Sequence, residues 1–229
     1  HLRDEKGLRN STIGKQLGFL KWFLKWSANN GYHKNMAYLS FKPKLKTTEK
    51  RIIFLTWDEL MTVYNFPIPE SKKYLDRVRD VFCFCCFTSL RYSDVYNLKR
   101  FDIKNGALHI TTVKTADSLT IDLNKYSQAI LDKYDGVPFE DNKALPVISN
   151  QKMNDYIKEL GQLCGLDQPE TVTYYVGNER VDEVYPKYEL MGTHTGRRTF
   201  ISNAIMMGIP PQVVMKWTGH SDYKAMKPY

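Results

Sequence analysis

The sequence predicts a mainly α-helical protein with small antiparallel β-sheets. Several long segments repeat their apolar residues at helical spacing, whereas only short segments alternate apolar and polar residues as strands do. The chain has 229 residues, of which 42% are hydrophobic and 25% are charged, so it can bury a substantial core and has the composition of a globular protein. No apolar run reaches the roughly 18 residues of a membrane span, and no signal peptide opens the chain.

The first predicted helix covers residues 11–31. Ser11 or Thr12 can cap its start, and Gly31 can end it. Its apolar stripe is broad, because aromatic residues lie beside leucines at helical spacing, and we therefore expect it to pack on more than one neighbour. The sequence begins with histidine rather than methionine, which indicates a fragment or a processed chain.

A basic segment from Phe41 to Arg51 follows this helix. It contains a proline and has no periodicity, which is typical of a linker. Its cations are Lys42, Lys44, Lys46, Lys50 and Arg51. Two interpretations stay open: the segment is a solvated connection, or it is a basic strap that binds DNA phosphates through these side chains.

The next elements are predicted to be helices. Thr56 and Glu59 fit a capping box, which opens a helix. A longer helix is predicted over residues 71–88, since its apolar residues recur on one face, and a short helix begins near Ser93. The inward side chains of the longer helix are Leu75, Val78, Phe82 and Cys85.

Two β-hairpins are predicted among the later helices. In the first, "KTAD" separates the alternating segments "ALHITTV" and "SLTIDL", and in the second, "GNE" separates "TVTYYV" from "RVDEVY". Helices are predicted near residues 125–134 and 150–164. From Thr195 onwards the chain is predicted to be helical, with breaks at "GIPP" and "TGH".

The charge and the cysteines limit the partners and cofactors. A net charge of +8 and a pI of about 9.1 favour a polyanionic partner, either nucleic acid or an acidic membrane surface. Three of the four cysteines lie in the apolar run "VFCFCCFTSL", where they are typical of core residues. No second ligand pair lies at a zinc-binding spacing, so we expect neither a metal nor another cofactor. This cysteine pattern favours a reducing cytoplasm.

Six residues in a fixed order form the candidate active site. Each is a weak signal alone, because a His-x-x-Arg pair arises by chance in roughly one such sequence in five. The ordered set is far less expected by chance. It consists of Arg91, Lys114, His194, Arg197, His220 and Tyr229.

Three of these residues suit the binding of a phosphodiester. Its non-bridging oxygens gain negative charge when a nucleophile attacks phosphorus. Arg91 and Arg197 can clamp those oxygens with permanently charged donors, and His220 can add a hydrogen bond. Asp94 lies three residues after Arg91, and we expect it to cap its helix or orient the arginine rather than act as an acid.

The other three residues suit the proton transfers of the reaction. Tyr229 is the candidate nucleophile, and a phenol with a reference pKa of about 10 is mostly protonated at pH 7. It therefore needs a base, for which His194 is the candidate. The oxygen that leaves phosphorus needs an acid, for which Lys114, at the tip of the first hairpin, is the candidate.

The set and its flanking residues resemble the tyrosine recombinase (phage integrase) family. "TSLRYSDV" matches the family's first arginine box, the hairpin supplies its lysine, and "HTGRR" and "TGHSD" supply the later residues. The step of nine residues from His220 to Tyr229 is also the family's spacing. Two positions depart from the pattern: Ser89 stands where glycine is usual, and Thr218 where leucine is common. Serine is small, so we expect the turn at Ser89 to survive.

The resemblance implies a catalytic domain of tyrosine recombinase fold over residues 46–229, preceded in residues 1–45 by the end of a helical core-binding domain and the basic linker. It implies a site-specific recombinase that cleaves and rejoins double-stranded DNA through a 3′-phosphotyrosine intermediate in the bacterial cytoplasm. It also implies a homotetramer on DNA for the full-length protein, a monomer for this chain and accessory DNA-bending proteins. The sequences of these motifs are most similar to those of integrases of mobile elements, notably of Bacteroides-type conjugative transposons.

Three alternatives stay open at this point. A type IB topoisomerase shares the tyrosine chemistry, but acts as a monomer without a paired site. A DNA-binding module with a relic site, or a protein of the membrane surface, would also account for the charge. A covalent, protease-sensitive adduct with DNA would separate the two enzymes from the two binding proteins.

Overall fold

The computed structural model describes residues 6–49 and 51–229, and these residues are mainly helical with two small β-sheets, which confirms the predicted fold class. Their α-helices are α1 (Asn10–Asn29), α2 (Ala37–Ser40), α3 (Trp57–Asn65), α4 (Tyr74–Thr88), α5 (Tyr92–Asn97), α6 (Lys125–Lys133), α7 (Asn150–Leu163), α8 (Thr193–Met206) and α9 (Pro211–Thr218). Their strands are β1 (Ile103–Lys104), β2 (Ala107–Thr111), β3 (Ser118–Asp122), β4 (Pro169–Val176) and β5 (Glu179–Pro186). Within this part of the chain, no helix combines the length and the apolar character that crossing a bilayer requires.

The contacts within the chain divide it into two compact units. The first unit contains the described residues up to Arg51 together with the segment Glu170–Tyr185, and the second contains Ile52–Pro169 and Pro186–Tyr229. The division near Arg51 lies slightly after the boundary expected between residues 45 and 46. The grouping of the β4–β5 hairpin with the N-terminal segment has no counterpart in the sequence analysis. The assignment of the units to a core-binding and a catalytic domain stays a prediction.

Helix α1 of the first unit begins earlier than predicted. It starts at Asn10, and neither Ser11 nor Thr12 caps it, so the predicted cap is wrong. The reason is a long-range contact: the buried Asn10 amide donates to the carbonyl oxygens of Lys46 and Gly177, at 3.0 and 2.8 Å, and accepts from the Gly177 N–H at 2.8 Å. Asn10 thereby fixes the start of α1 against the basic segment and the β4–β5 turn.

The aromatic face of α1 is exposed among the described residues. The side chains of this face include Phe19 and Trp22, which are 69% and 68% exposed, whereas Ile13 is buried. The expectation that α1 packs on several neighbours is therefore not met within the part of the chain that the structure describes.

The basic segment of the first unit lies along the β4–β5 hairpin. Thr48 donates to the Thr173 carbonyl at 2.9 Å, and Arg51 pairs with Glu170 at 2.9 Å. The exposed cations of the segment are Lys42, Lys44, Lys46 and Arg51, while Lys50 lies outside the described residues. Because Glu170 offsets the charge of Arg51, the three described lysines are the cations of the segment best placed to meet a polyanion; this DNA contact stays a prediction.

Helix α4 is the centre of the second unit. The four side chains predicted to face inward along it, Leu75, Val78, Phe82 and Cys85, are all buried. Its C-terminal half is apolar on every face, and such a helix is stable only when neighbours surround it. Helix α8 packs closest, because Gly196 has no side chain: a Cβ there would lie 2.8 Å from the Cβ of Cys85.

The capping box at the start of α3 is confirmed. The Thr56 N–H donates to the Glu59 carboxylate at 2.7 Å, and the Glu59 N–H donates to the Thr56 hydroxyl at 3.3 Å. The same carboxylate accepts two hydrogen bonds from the buried Lys187 ammonium, at 2.7 and 2.6 Å. One glutamate therefore caps α3 and holds the segment that leads into α8.

The cysteine run packs in the core, as predicted. Cys83, Cys85 and Cys86 are free and buried, and burial raises the pKa of the Cys85 thiol to about 12. Thiols with such pKa values stay protonated and unreactive at neutral pH.

Ser89 forms the turn that joins α4 to α5. It is fully buried and has left-handed backbone dihedrals, with φ 62° and ψ 4°, which explains why glycine is usual at this position in the family that the sequence resembles. Its N–H donates to the Cys85 carbonyl at 3.0 Å, and its hydroxyl donates to the Trp217 carbonyl at 3.3 Å. This hydroxyl bond offsets part of the left-handed strain, so the turn survives with serine.

We predict that Ser89→Gly leaves the free energy of unfolding within about 1 kcal/mol of wild type, since the relief of strain and the lost hydrogen bond nearly cancel. Ser89→Val should lower it by about 2 kcal/mol or more, because a β-branched residue at positive φ adds about 1–3 kcal/mol of strain. Urea denaturation of the three proteins measures both effects. A valine variant as stable as wild type would contradict the left-handed turn.

Candidate active site

Arg91 lies in the turn between α4 and α5, as predicted. Its backbone N–H donates to Asp94 Oδ2 at 3.3 Å, and its Nη1 lies 3.9 Å from the same oxygen, which is too far for a hydrogen bond. Nη1 is buried and has no hydrogen-bond partner among the described residues. The guanidinium therefore presents a desolvated donor that an anionic oxygen can satisfy.

Asp94 connects this turn to the hairpin that carries Lys114. Its side chain is 2% exposed, and its Oδ1 accepts from the Val113 N–H at 2.9 Å while Oδ2 accepts from Arg91. Both oxygens are thus engaged by backbone donors, which supports the capping interpretation of Asp94 over that of a catalytic acid.

Lys114 lies in the loop between β2 and β3, where the hairpin was predicted to turn. Thr112 closes this loop, because its N–H donates to the Asp117 carbonyl at 2.9 Å and its hydroxyl accepts from the Asp117 N–H at 3.2 Å. Lys114 itself is exposed, and its charge is one of those that lower the pKa of His194. The loop therefore brings Lys114 to the same region as the histidine, although the two are 80 residues apart.

Arg197 is the most buried residue of the set, with 2% exposure. Its Nη1 donates to the Ser89 carbonyl at 3.0 Å, and its Nη2 donates to the Thr218 carbonyl and lies 3.4 Å from His220 Nε2. Burial and the charge of Arg91 lower the pKa of Arg197 to about 10, so it remains a cation at neutral pH. Two arginines thus lie close together, and an anion bound beside them would relieve their repulsion.

His220 is held by the turn after α9. Gly219 has φ 64°, and a Cβ there would come within 3.3 Å of Leu119, so glycine suits both the conformation and the space. His220 Nδ1 lies 2.8 Å from the Thr218 hydroxyl, which also lies 2.9 Å from the Val214 carbonyl. The hydroxyl must donate to that carbonyl, so we infer that Nδ1 carries the ring hydrogen and Nε2 is the acceptor facing Arg197.

Both histidines are neutral at pH 7. Burial, followed by the charges of Arg197 and Arg91, lowers the pKa of His220 to about 4. Desolvation, followed by the charges of Arg198 and Arg197, lowers the pKa of His194 to about 4 as well. His194 is exposed, so water screens these charges, but the direction leaves an unprotonated imidazole that can accept a proton.

Tyr229 packs its ring on a small apolar cluster that includes Ile201 of α8, Val214 of α9 and Met226. Its N–H donates to the Met226 carbonyl at 3.0 Å. Burial raises the pKa of the Tyr229 phenol, and Arg198 and Arg197 oppose that rise. The phenol is therefore protonated at neutral pH and needs a base to become a nucleophile.

The structure places all six predicted site residues in the second unit, and electrostatic effects connect them, whereas the cations of the basic segment belong to the first unit. It also adds Arg198, which the sequence analysis missed although it lies four residues after His194 and hence on the same helix face. Within residues 6–49 and 51–229, no group of three or more His, Cys, Asp or Glu side chains is arranged to hold a metal ion.

Comparison with known proteins identifies relatives of this fold and site. The model of the phage integrase family matches residues 53–229. The tyrosine recombinase XerC of Thermodesulfovibrio yellowstonii is 23% identical over 234 residues, which cover 98% of this chain and 72% of the relative. Among solved structures, the integrase of the transposon Tn1549 in complex with a circular intermediate DNA has a TM-score of 0.71 at 15% identity, covering 99% of this chain and 77% of that one. A lambda integrase dimer bound to a COC′ core site has a TM-score of 0.64 at 16% identity, covering 90% and 70%. At these identities the structural likeness concerns the fold alone.

We predict that the protein without DNA loses stability as the pH falls from about 6.5 towards 4, partly through His220. The pKa of His220 is about 4 in the folded protein and 6.5 ordinarily, so in this window the unfolded state binds the proton first and is favoured. Carboxylates also lose stabilising interactions as the pH falls, so the contribution of His220 is measured by comparing the loss of stability in wild type with that in His220→Asn. Urea denaturation at pH 7 and pH 5 should show that His220→Asn loses less stability than wild type; equal losses would contradict the depressed pKa.

Proposed function

Because the chain belongs to the phage integrase family of tyrosine recombinases, we propose that it cleaves and rejoins double-stranded DNA at specific sites through a covalent 3′-phosphotyrosine formed on Tyr229. The observation that carries this proposal is the anion site at Arg91 and Arg197. One guanidinium has a buried donor without a partner, and the other has its pKa lowered by burial and by its neighbour's charge. A phosphodiester supplies the acceptor that Arg91 lacks and the negative charge that would compensate both cations.

The anion site is matched to the charge that develops during the reaction. An unpaired buried donor costs about 1–3 kcal/mol, which a phosphate oxygen would remove. The Ser89 and Thr218 carbonyls fix the guanidinium of Arg197 before substrate arrives. A fixed donor of this kind contributes about 2.7–4 kcal/mol to the stabilisation of a developing oxyanion. We assign His220 Nε2, beside Arg197, a further hydrogen bond to the phosphate once the ring is protonated.

Cleavage exchanges one phosphoester bond for another. The Tyr229 oxygen forms a bond to phosphorus while the bond from phosphorus to the 5′ oxygen breaks. His194 takes the phenolic proton, and Lys114 gives a proton to the departing 5′ oxygen. The phosphotyrosine keeps the energy of the broken bond, so a 5′ hydroxyl of a partner strand can reverse these steps without ATP.

The finer features of the proposal concern assembly and biological context. Lambda integrase has been solved as a tetramer bound to a Holliday junction, and we extend such assembly on DNA to the full-length form of this protein. Tn1549 integrase, a structural neighbour, acts for a transposon. This structural similarity supports a role in the integration and excision of a bacterial mobile element. The motif sequences favour a conjugative transposon of the Bacteroides type as that element.

We predict that Tyr229→Phe abolishes the covalent adduct and keeps DNA binding, because the change removes one oxygen and little of the packing on the apolar cluster. A duplex substrate is first selected from a random-sequence library by covalent capture with the wild-type protein. Gel analysis after protein denaturation then measures the adduct, and fluorescence anisotropy measures binding. An adduct that persists in the phenylalanine variant would identify another nucleophile.

The role of Lys114 is tested by changing the leaving group. We expect Lys114→Ala to slow cleavage by about 10²–10⁴-fold, the usual contribution of general acid catalysis. A 5′-bridging phosphorothiolate leaves as a thiolate and needs no proton, so the variant should cleave it at nearly the wild-type rate. Arg91→Ala is the matched control and should not be rescued, because its charge acts on the non-bridging oxygens. A defect of Lys114→Ala that sulfur leaves unchanged would show that the lysine only contacts a phosphate.

A further inference from the structure

Thr218, at the end of α9, contacts both Arg197 and His220. Its backbone carbonyl accepts a hydrogen bond from Arg197 Nη2, and its hydroxyl lies 2.8 Å from His220 Nδ1. The side chain of Thr218 is fully buried, so water cannot take the place of the hydroxyl. A single residue therefore determines how the arginine and the histidine are held relative to each other.

The hydrogen of the neutral His220 ring lies on Nδ1, for two independent reasons. Nε2 lies 3.4 Å from Arg197 Nη2, and a guanidinium only donates hydrogen bonds, so Nε2 must offer its lone pair. On the other side of the ring, the carbonyl oxygens of Val214 and Met215 lie 2.9 and 3.3 Å from the Thr218 hydroxyl and take its hydrogen. The oxygen of the hydroxyl is then left to accept from Nδ1–H, and this bond fixes the tautomer.

This tautomer prevents the neutral ring from donating to a bound phosphate. The ring atom beside Arg197 is Nε2, whose lone pair is an acceptor, and an oxygen of a phosphate bound to that arginine is an acceptor as well. Two acceptors do not form a hydrogen bond, so Nε2 must first take a proton. Burial, followed by Arg197, Arg91 and His194, lowers the pKa of His220, so this proton is disfavoured until an anion offsets the positive charge.

We propose that Thr218 is a positioning residue, which holds the hydrogen of neutral His220 on Nδ1 and thereby makes the hydrogen bond from His220 to the phosphate depend on a proton taken up at Nε2. This inference rests on the proposed function. The neutral ring carries one hydrogen, on Nδ1. When the phosphodiester binds, a proton from solvent adds to Nε2. The imidazolium then donates from Nε2 to a phosphate oxygen and from Nδ1 to the Thr218 hydroxyl.

A residue without a hydroxyl at position 218 would remove this dependence. With valine, the buried Nδ1–H would have no acceptor, which favours the tautomer with its hydrogen on Nε2. That neutral ring donates to the phosphate without taking up a proton. Leucine, which is common at this position in the family, also has no acceptor, so the control of the ring follows from a residue in which this chain departs from the pattern.

The first test reads the tautomer in the protein without DNA. Histidine nitrogens are labelled with ¹⁵N, because their chemical shifts at pH 7 distinguish a nitrogen that carries a hydrogen from one that does not, and His220→Asn identifies the signals of this ring. Wild type should carry the hydrogen on Nδ1. In Thr218→Val, the ratio of the Nδ1–H to the Nε2–H form should fall by about tenfold, because a buried N–H loses its acceptor. Thr218→Ser should behave as wild type.

Thr88→Val is the matched control for the loss of a buried hydroxyl. Thr88 is also fully buried at the end of a helix, and its hydroxyl donates to the Phe84 carbonyl four residues earlier, at 2.7 Å, as that of Thr218 does to Val214. This bond does not involve His220, so the control should leave the tautomer unchanged. A wild-type ring with its hydrogen on Nε2, or a shift in Thr218→Val no larger than in the control, would overturn the proposal.

The second test counts the protons taken up with the phosphate. The Tyr229→Phe variant, with and without Thr218→Val, is titrated with the selected duplex at pH 6, and calorimetry in several buffers gives the number of protons bound. Thr218→Val should reduce this number, since its ring donates from Nε2 without a further proton. Thr218→Ser should restore it, and Thr88→Val should leave it unchanged. Equal uptake with valine and threonine at position 218 would show that the hydroxyl does not control the proton.

The two tests distinguish failure of this inference from failure of the proposed function. If wild type forms an adduct and the valine variant keeps the same tautomer or the same proton uptake, the role of Thr218 is refuted while the recombinase stands. If wild type forms no adduct on any duplex of the library, the proposed function fails. The tautomer measured in the free protein still shows whether the hydroxyl of Thr218 places the ring hydrogen.

Discussion

The guanidinium of Arg197 holds together the segments from which the site is built. One of its nitrogens donates to the Ser89 carbonyl, in the turn that leads to Arg91, and the other donates to the Thr218 carbonyl at the end of α9 and approaches His220. The arginine itself is buried on α8, which packs on the central helix α4 through Gly196. A change that displaces this side chain would therefore misplace the first arginine box and the last histidine together. The two segments are far apart in the sequence, and hydrogen bonds from one guanidinium hold them together.

The same arrangement leaves the site with an excess of positive charge. Among the described residues, the carboxylate that pairs with Arg91 is that of Asp94, which lies 3.9 Å away and has both oxygens engaged by backbone N–H groups. Together with burial, this positive charge lowers the pKa values of both histidines to about 4. A phosphodiester reverses this state, because its charge compensates the arginines and makes protonation of a neighbouring imidazole favourable. We therefore expect substrate binding and the protonation of the site to be coupled, with the anion that completes the clamp also converting His220 into a donor.

Local features of the sequence predicted more of this protein than its long-range contacts did. The capping box at Thr56, the buried face of α4 and the first hairpin were predicted correctly, because each depends on residues within a few positions of one another. The start of α1 was not, since Asn10 is fixed by a residue more than 160 positions away. Strand β1 was missed as well, because two residues have no periodicity and are ordered only by pairing with β2. The order of the site residues was visible in the motifs. The effect of Arg198 on His194 and Tyr229 was not, because it depends on where the folded chain places these side chains.

The coupling between anion binding and the protonation of His220 can be measured as proton uptake. Calorimetric titration of the Tyr229→Phe variant with the selected duplex at pH 6, in buffers of different ionisation enthalpy, gives the number of protons bound with the DNA. The phosphodiester does not titrate near this pH, so any uptake belongs to the protein. We expect net uptake, because His220, with a pKa of about 4 in the free protein, becomes protonated when phosphate compensates the arginines. We expect a smaller uptake when His220 is also replaced by asparagine. Binding without proton uptake, or an uptake that the asparagine replacement leaves unchanged, would contradict this coupling.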